Sequence, residues 1–171
     1  MTFRVPPAWV IVLSGLILNI LAIVISSLVI DKLSAKQNDL YEQKSANLYS
    51  IQLAWNSVET LERKREALLL HLNSERTVPQ LDEILRGQLS VWVGESMPSV
   101  TIANLPTFMM SINSAQQAQR NKIDDYYLNN LSISESMLAL EERMTFYKNI
   151  ALFLQIFGLA LILARDLARK P

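Results

Sequence analysis

The chain has 171 residues, half of them hydrophobic and 19% charged, with sixteen basic side chains balanced by sixteen acidic ones. A zero net charge supplies no field to recruit nucleic acid, which argues against a nucleic-acid partner. The absence of cysteine excludes disulfides, thiolate metal sites and cysteine nucleophiles, and four glycines with six prolines argue for long helices over a β-sandwich or a disordered linker.

Residues 1–7 form a short N-terminus carrying Arg4. "AWVIVLSGLILNILAIVISSLVI", Ala8 to Ile30, then runs 23 residues without a charge. At about 1.5 Å per residue this run crosses a hydrocarbon core of roughly 30 Å with some tilt. Arg4 and Trp9 provide interfacial anchors. The run is longer than the apolar core of a signal peptide and no A-x-A site follows, so a retained transmembrane helix is expected.

Residues 31–146 are expected to form an extracytoplasmic helical region. Steps of three and four pick out Leu40, Lys44, Asn47, Ile51, Ala54, Val58, Leu61, Arg65, Leu68 and Leu72, with Tyr41, Leu48, Trp55 and Leu69 on the adjoining stripe. This predicts a long amphipathic helix over about 33–73. Thr77 and Gln80 stand at capping-box spacing around Pro79, and Leu81, Ile84, Leu85, Leu89 and Trp92 then predict a short helix over about 79–93, with Gly87 as its weak point. Gly94 is placed as a C-cap, and a loop over 94–106 contains Pro98, Asn104 and Pro106.

A second heptad seam starts at Met109 and continues through Ile112, Gln116, Gln119, Ile123, Tyr126, Asn130, Ile133, Met137, Leu140, Met144 and Tyr147, predicting a long helix over about 107–146. Neither arm has turn chemistry near residue 50 or 125, which argues against a four-helix sensor bundle. The expected fold is therefore an all-α membrane protein: two transmembrane helices joined by a long antiparallel helical hairpin, coiled-coil-like, with a short helix at its tip. The alternative folds that short helix back along the arms as a third strand of the bundle. The second span, 147–164, lies between Lys148 and Arg165, and a basic C-terminus (165–171) follows it. The basic residues at both ends place both termini in the cytoplasm and the protein in the cytoplasmic (inner) membrane.

Two groups of residues stand out as candidate sites. Gly15, Asn19, Ala22 and Ser26 form a small and polar stripe on the first span, and Ala151, Gln155 and Gly158 do the same on the second. Lipid gives helices no hydrophobic reason to associate, so small residues and amides mark an intramembrane pairing face, and a contact between Asn19 and Gln155 is expected. At the tip, Trp92, Met97, Ile102, Phe108 and Met109 form a candidate docking cluster for another chain, in competition with simple closure of the hairpin core.

Other candidates read as ordinary structure. His71 and Glu75 supply two ligands, too few for a metal site, so a solvated or capping histidine is expected. Glu59, Glu62 and Glu66 interleave with Arg63, Lys64 and Arg65 as a solvated face. Asp124, Asp125, Tyr126 and Tyr127 read as surface acids beside a core tyrosine. No nucleophile elbow, phosphate loop or EF-hand loop is found, so neither an enzyme nor a cofactor is expected.

The expected function is that of a non-enzymatic two-pass membrane subunit or scaffold that contacts lipid and assembles with itself or with a membrane-protein partner. Polar seam positions Lys44, Asn47, Arg65, Gln116, Gln119 and Asn130 fit that role, because such residues lower stability while specifying register and partner. Two alternatives are a sensor and an oligomeric membrane-disrupting or pore-forming effector. The order span, helical region, span is similar to that of chemoreceptor and sensor-kinase input modules, a likeness of architecture that no motif carries. With only seven residues after Ala164, a sensor would have to signal laterally.

Overall fold

The computed structural model describes residues 7–74 and 79–168. Among them every regular element is helical. Arg4, Glu75, Thr77, Arg169 and Lys170, with the expectations placed on them, lie outside the described residues, as does the side chain of Arg165. In chain order the elements are α1 (Ala8–Val24), a π-helical turn (Ile25–Ile30), α2 (Asp31–Leu72), α3 (Pro79–Val93), a 3-10 turn (Ile102–Asn104) and α4 (Leu105–Ala168). The expected second span is not a separate helix: α4 continues unbroken through it, since no glycine or proline pair interrupts 107–157. Two helical stretches, Trp9–Leu72 and Ile102–Ala164, contain windows long and apolar enough to cross a membrane.

The chain divides into two compact units, Met1–Gln43 with Ile133–Pro171, and Lys44–Ser132. In the second unit α2 and α4 run antiparallel, their register pinned by Asn47 Nδ2 donating to Asn130 Oδ1 at 2.9 Å. The short helix does not merely close the turn. Lys64 Nζ donates to Gln88 Oε1 at 2.9 Å and lies over the Trp92 ring, while His71 near the end of α2 pairs with Asp82 near the start of α3. Helix α3 therefore folds back along α2 as a third layer.

The reason is hydrophobic. Leu89 of α3 joins Leu61 and Leu68 of α2, Phe108 and Ile112 of α4, and Met97 and Val100 of the returning loop in one buried cluster. Burying each large side chain contributes on the order of 1.5–3 kcal/mol, more than the ordering cost of its rotamers. Gly94 makes the reversal possible: its φ of +80° is left-handed, and its N–H donates to Ser90 O at 2.9 Å to cap α3. Ser90 Oγ then accepts from Met97 N at 3.1 Å, tying the loop to α3. Asn104 directly precedes α4, and its Nδ2 donates to Ser99 O at 2.9 Å and braces the loop.

In the first unit, α1 packs against the C-terminal part of α4. Ala22, Ile133, Leu140, Met144 and Ala151 are buried there.

Candidate helix-pairing site and outer surfaces

Glycine at two positions sets the geometry of the α1–α4 pair. A Cβ added to Gly15 would stand 2.6 Å from Gly158 O and 2.9 Å from Ile162 Cγ1, and one added to Gly158 would stand 2.5 Å from Asn19 Nδ2 and 2.7 Å from Gly15 O. Contacts this short are outside van der Waals range, so no other residue fits either position without moving the helices apart. Gly15, Ala22, Ala151 and Gly158 are all buried.

Asn19 lies against Gly158. Its Nδ2 donates to Gly15 O, one turn back on its own helix, at 2.9 Å. No hydrogen bond joins Asn19 to Gln155 within the chain; Gln155 is exposed, and both residues line one cleft. With a glycine at 158 the backbones approach so closely that Asn19 fills the space beside it, which leaves Gln155 turned toward an open cleft of about 430 Å³. Asn19, Ala22, Ser26, Ser27, Asp31 and Gln155 line that cleft, so the polar stripes meet along a groove rather than through a direct bond. Ser26, expected on the pairing face, is exposed in the π-helical turn.

Large apolar side chains cover the outside of the same pair. Leu13, Leu16, Ile17, Ile20, Leu21 and Ile23 of α1 are exposed, as are Phe153, Ile156, Phe157, Leu159 and Leu163 of α4, where Phe153 and Phe157 stack with centroids 5.8 Å apart. Only 11% of each apolar window is buried, whereas an apolar core helix of a water-soluble domain is mostly buried.

The candidate docking cluster of the second unit separates into two kinds of residue. Met97 and Phe108 are buried and Met109 packs against the same core, so closure of the core accounts for these three. Trp92 and Ile102 are exposed. Ile102 borders a shallow groove of about 440 Å³ with Leu69, Leu70, Leu72, Asn73 and Leu105.

The partners of two polar side chains were not foreseen in the sequence. His71 is not solvated: its side chain is 6% exposed and pairs with Asp82 across the α2–α3 reversal. The signal available was an acid in the first turn of a helix, but the pairing depends on α3 folding back. Gln116, on the seam, is buried and satisfied, its Nε2 donating to Val58 O at 3.3 Å and to Glu62 Oε2 at 3.0 Å, while Glu62 also pairs with Arg65. Among the described residues no group of three or more His, Cys, Asp or Glu is placed to hold a metal ion.

Comparison with protein-family models, curated proteins and solved structures returns no match to this chain. The functional reading therefore rests on the geometry above.

Proposed function

We propose that this chain is a non-enzymatic two-pass membrane subunit that assembles with copies of itself, both termini lying on the cytoplasmic side of the cell membrane. The observation that carries the reading is the inverted packing of the α1–α4 pair: glycine, alanine and an asparagine amide inside, leucine, isoleucine and phenylalanine outside. In water that arrangement would leave the apolar surface unpaid, whereas in lipid it is the favourable one, because close backbone approach and amide hydrogen bonds hold helices together there. Arg4, Arg165, Arg169 and Lys170 support the cytoplasmic side for both ends.

Self-assembly is supported by the amide of Gln155. It is exposed on the cleft wall within the apolar part of α4 with no hydrogen-bond partner among the described residues, and an amide at membrane depth is costly unless another protein group meets it. The protein is expected to stay with membranes after an alkaline carbonate wash, and its protein mass in mild detergent, measured by light scattering, is expected to be a multiple of one chain. Release by carbonate would overturn the membrane assignment, and a monomeric mass would overturn self-assembly.

A further inference from the structure

The Lys44–Ser132 unit has two edges of very different character. Positions that directly follow the inner seam on α2 and α4 flank one edge of an antiparallel pair, and positions that directly precede it flank the other. The preceding positions include Lys64, His71 and Ala115, and α3 covers that edge through Gln88, Trp92 and Asp82. On the other edge Leu48, Trp55 and Tyr127 are exposed, with Leu131 one turn beyond Tyr127, so four large apolar side chains face solvent. Scattered exposed hydrophobics are ordinary, but a continuous strip along one edge of a two-helix coil marks a contact surface.

We propose that this edge docks the same edge of a second copy, related by a two-fold axis parallel to the helices, so that two hairpins complete a four-helix bundle. The proposal rests on the self-assembly reading above and assigns it a surface. Two hairpins related by such an axis keep each residue at the same height along it, so residues at the same height meet. The Asn47–Asn130 bond sets those heights: Leu48 of α2 is level with the stretch of α4 that carries Tyr127 and Leu131, and Trp55 lies at the height between Tyr127 and Arg120. Charge follows the same register. Glu59, one turn beyond Trp55, comes within a turn of the height of Arg120, one heptad before Tyr127. Glu59 holds only an exposed contact to Arg63 at 3.5 Å, and Arg120 is exposed with no ion-pair or hydrogen-bond partner among the described residues. In the pair, Arg120 of one copy meets Glu59 of the other at the end of the apolar strip, and both sites repeat across the axis.

The native chain has no cysteine, so introduced thiols report without background. Leu48→Cys and Tyr127→Cys are placed in two differently tagged full-length chains, co-expressed and oxidised mildly in intact membranes. The expected product is a disulfide-linked dimer carrying both tags, at least tenfold more abundant than from Ser50→Cys with Asn129→Cys on the opposite edge. Arg120→Glu is expected to lower that yield by about tenfold, and Glu59→Arg added to the same chains to restore it. A particle larger than one chain that gives no Leu48–Tyr127 cross-link overturns this surface while leaving self-assembly standing, and a monomeric particle overturns both. Equal cross-linking from the two edges also overturns the proposal.

Discussion

The α1–α4 contact around Gly15 and Gly158 and the core of the Lys44–Ser132 unit bury opposite kinds of residue. Where α1 meets α4, the inside consists of Gly15, Asn19, Ala22, Ala151 and Gly158, and the large apolar side chains point out. In the Lys44–Ser132 unit the inside consists of Leu61, Leu68, Leu89, Phe108 and Ile112, while charged residues such as Glu59 and Arg63 point out. On the membrane reading proposed above, the same contact, helix against helix, is built for two solvents. In water, large side chains are drawn inward by the hydrophobic effect; in lipid that gradient vanishes and backbone proximity takes over. A glycine is therefore worth most in one unit where a phenylalanine is worth most in the other.

That contrast breaks most visibly at its two centres. Phe108→Ala should cost the Lys44–Ser132 unit about 3–5 kcal/mol, because the ring is fully buried in the core. Loss of amide-exchange protection in α3, measured by mass spectrometry, checks this, and unchanged protection would mean that Phe108 is not central. Gly158→Leu should cost the α1–α4 pair roughly 1–3 kcal/mol through overpacking against Asn19 and Gly15, seen as a lower melting temperature in detergent. The same glycine replaced in a water-facing core would leave nothing comparable, so a null result at 158 would erase the distinction between the units.

Smaller effects sharpen the comparison. Gly94→Ala forces a left-handed residue to carry a Cβ and should destabilise the α3 reversal by about 1–2 kcal/mol, measurable by denaturant titration of the detergent-solubilised protein. A double-mutant cycle between Asn47→Ala and Asn130→Ala should return a coupling of roughly 0.5–1.5 kcal/mol, and additive costs would show that their hydrogen bond does not set the register. Glu59→Gln should shift monomer stability by less than about 0.5 kcal/mol, since both partners of the Glu59–Arg63 pair are largely exposed and solvent screens them.

Sequence periodicity carried both seams of the second unit to the right faces. Ala54, Val58, Leu61 and Leu68 on α2, and Ile112, Gln116, Ile123 and Asn130 on α4, are buried at the positions that steps of three and four pick out. Such steps describe one helix against one partner, and they are silent on which neighbour an amphipathic helix chooses. Hence α3, with its apolar face at Leu85 and Leu89, was legible as a helix, but its return along α2 was not. The Tyr41, Leu48, Trp55 and Leu69 stripe was likewise legible as a pattern, while its exposure depends on α3 taking the other edge.

The candidate pairing face shows the same division. Small residues at Gly15 and Gly158 were visible in the sequence because lipid-facing helices use them for close approach. Their mutual contact is a tertiary fact, and so is its consequence, that Asn19 occupies the space beside Gly158 and Gln155 is left on the wall of a cleft. By itself the sequence determined the apolar face of each helix and the two stretches long and apolar enough to cross a membrane. The tertiary structure decided which faces meet, where α3 lies, how His71 is paired with Asp82, and which edge is left open. The reason is that periodicity is encoded by neighbours along one chain segment, whereas the choice of partner depends on volumes and amides contributed by residues far apart in sequence, whose fit exists only once the segments are packed.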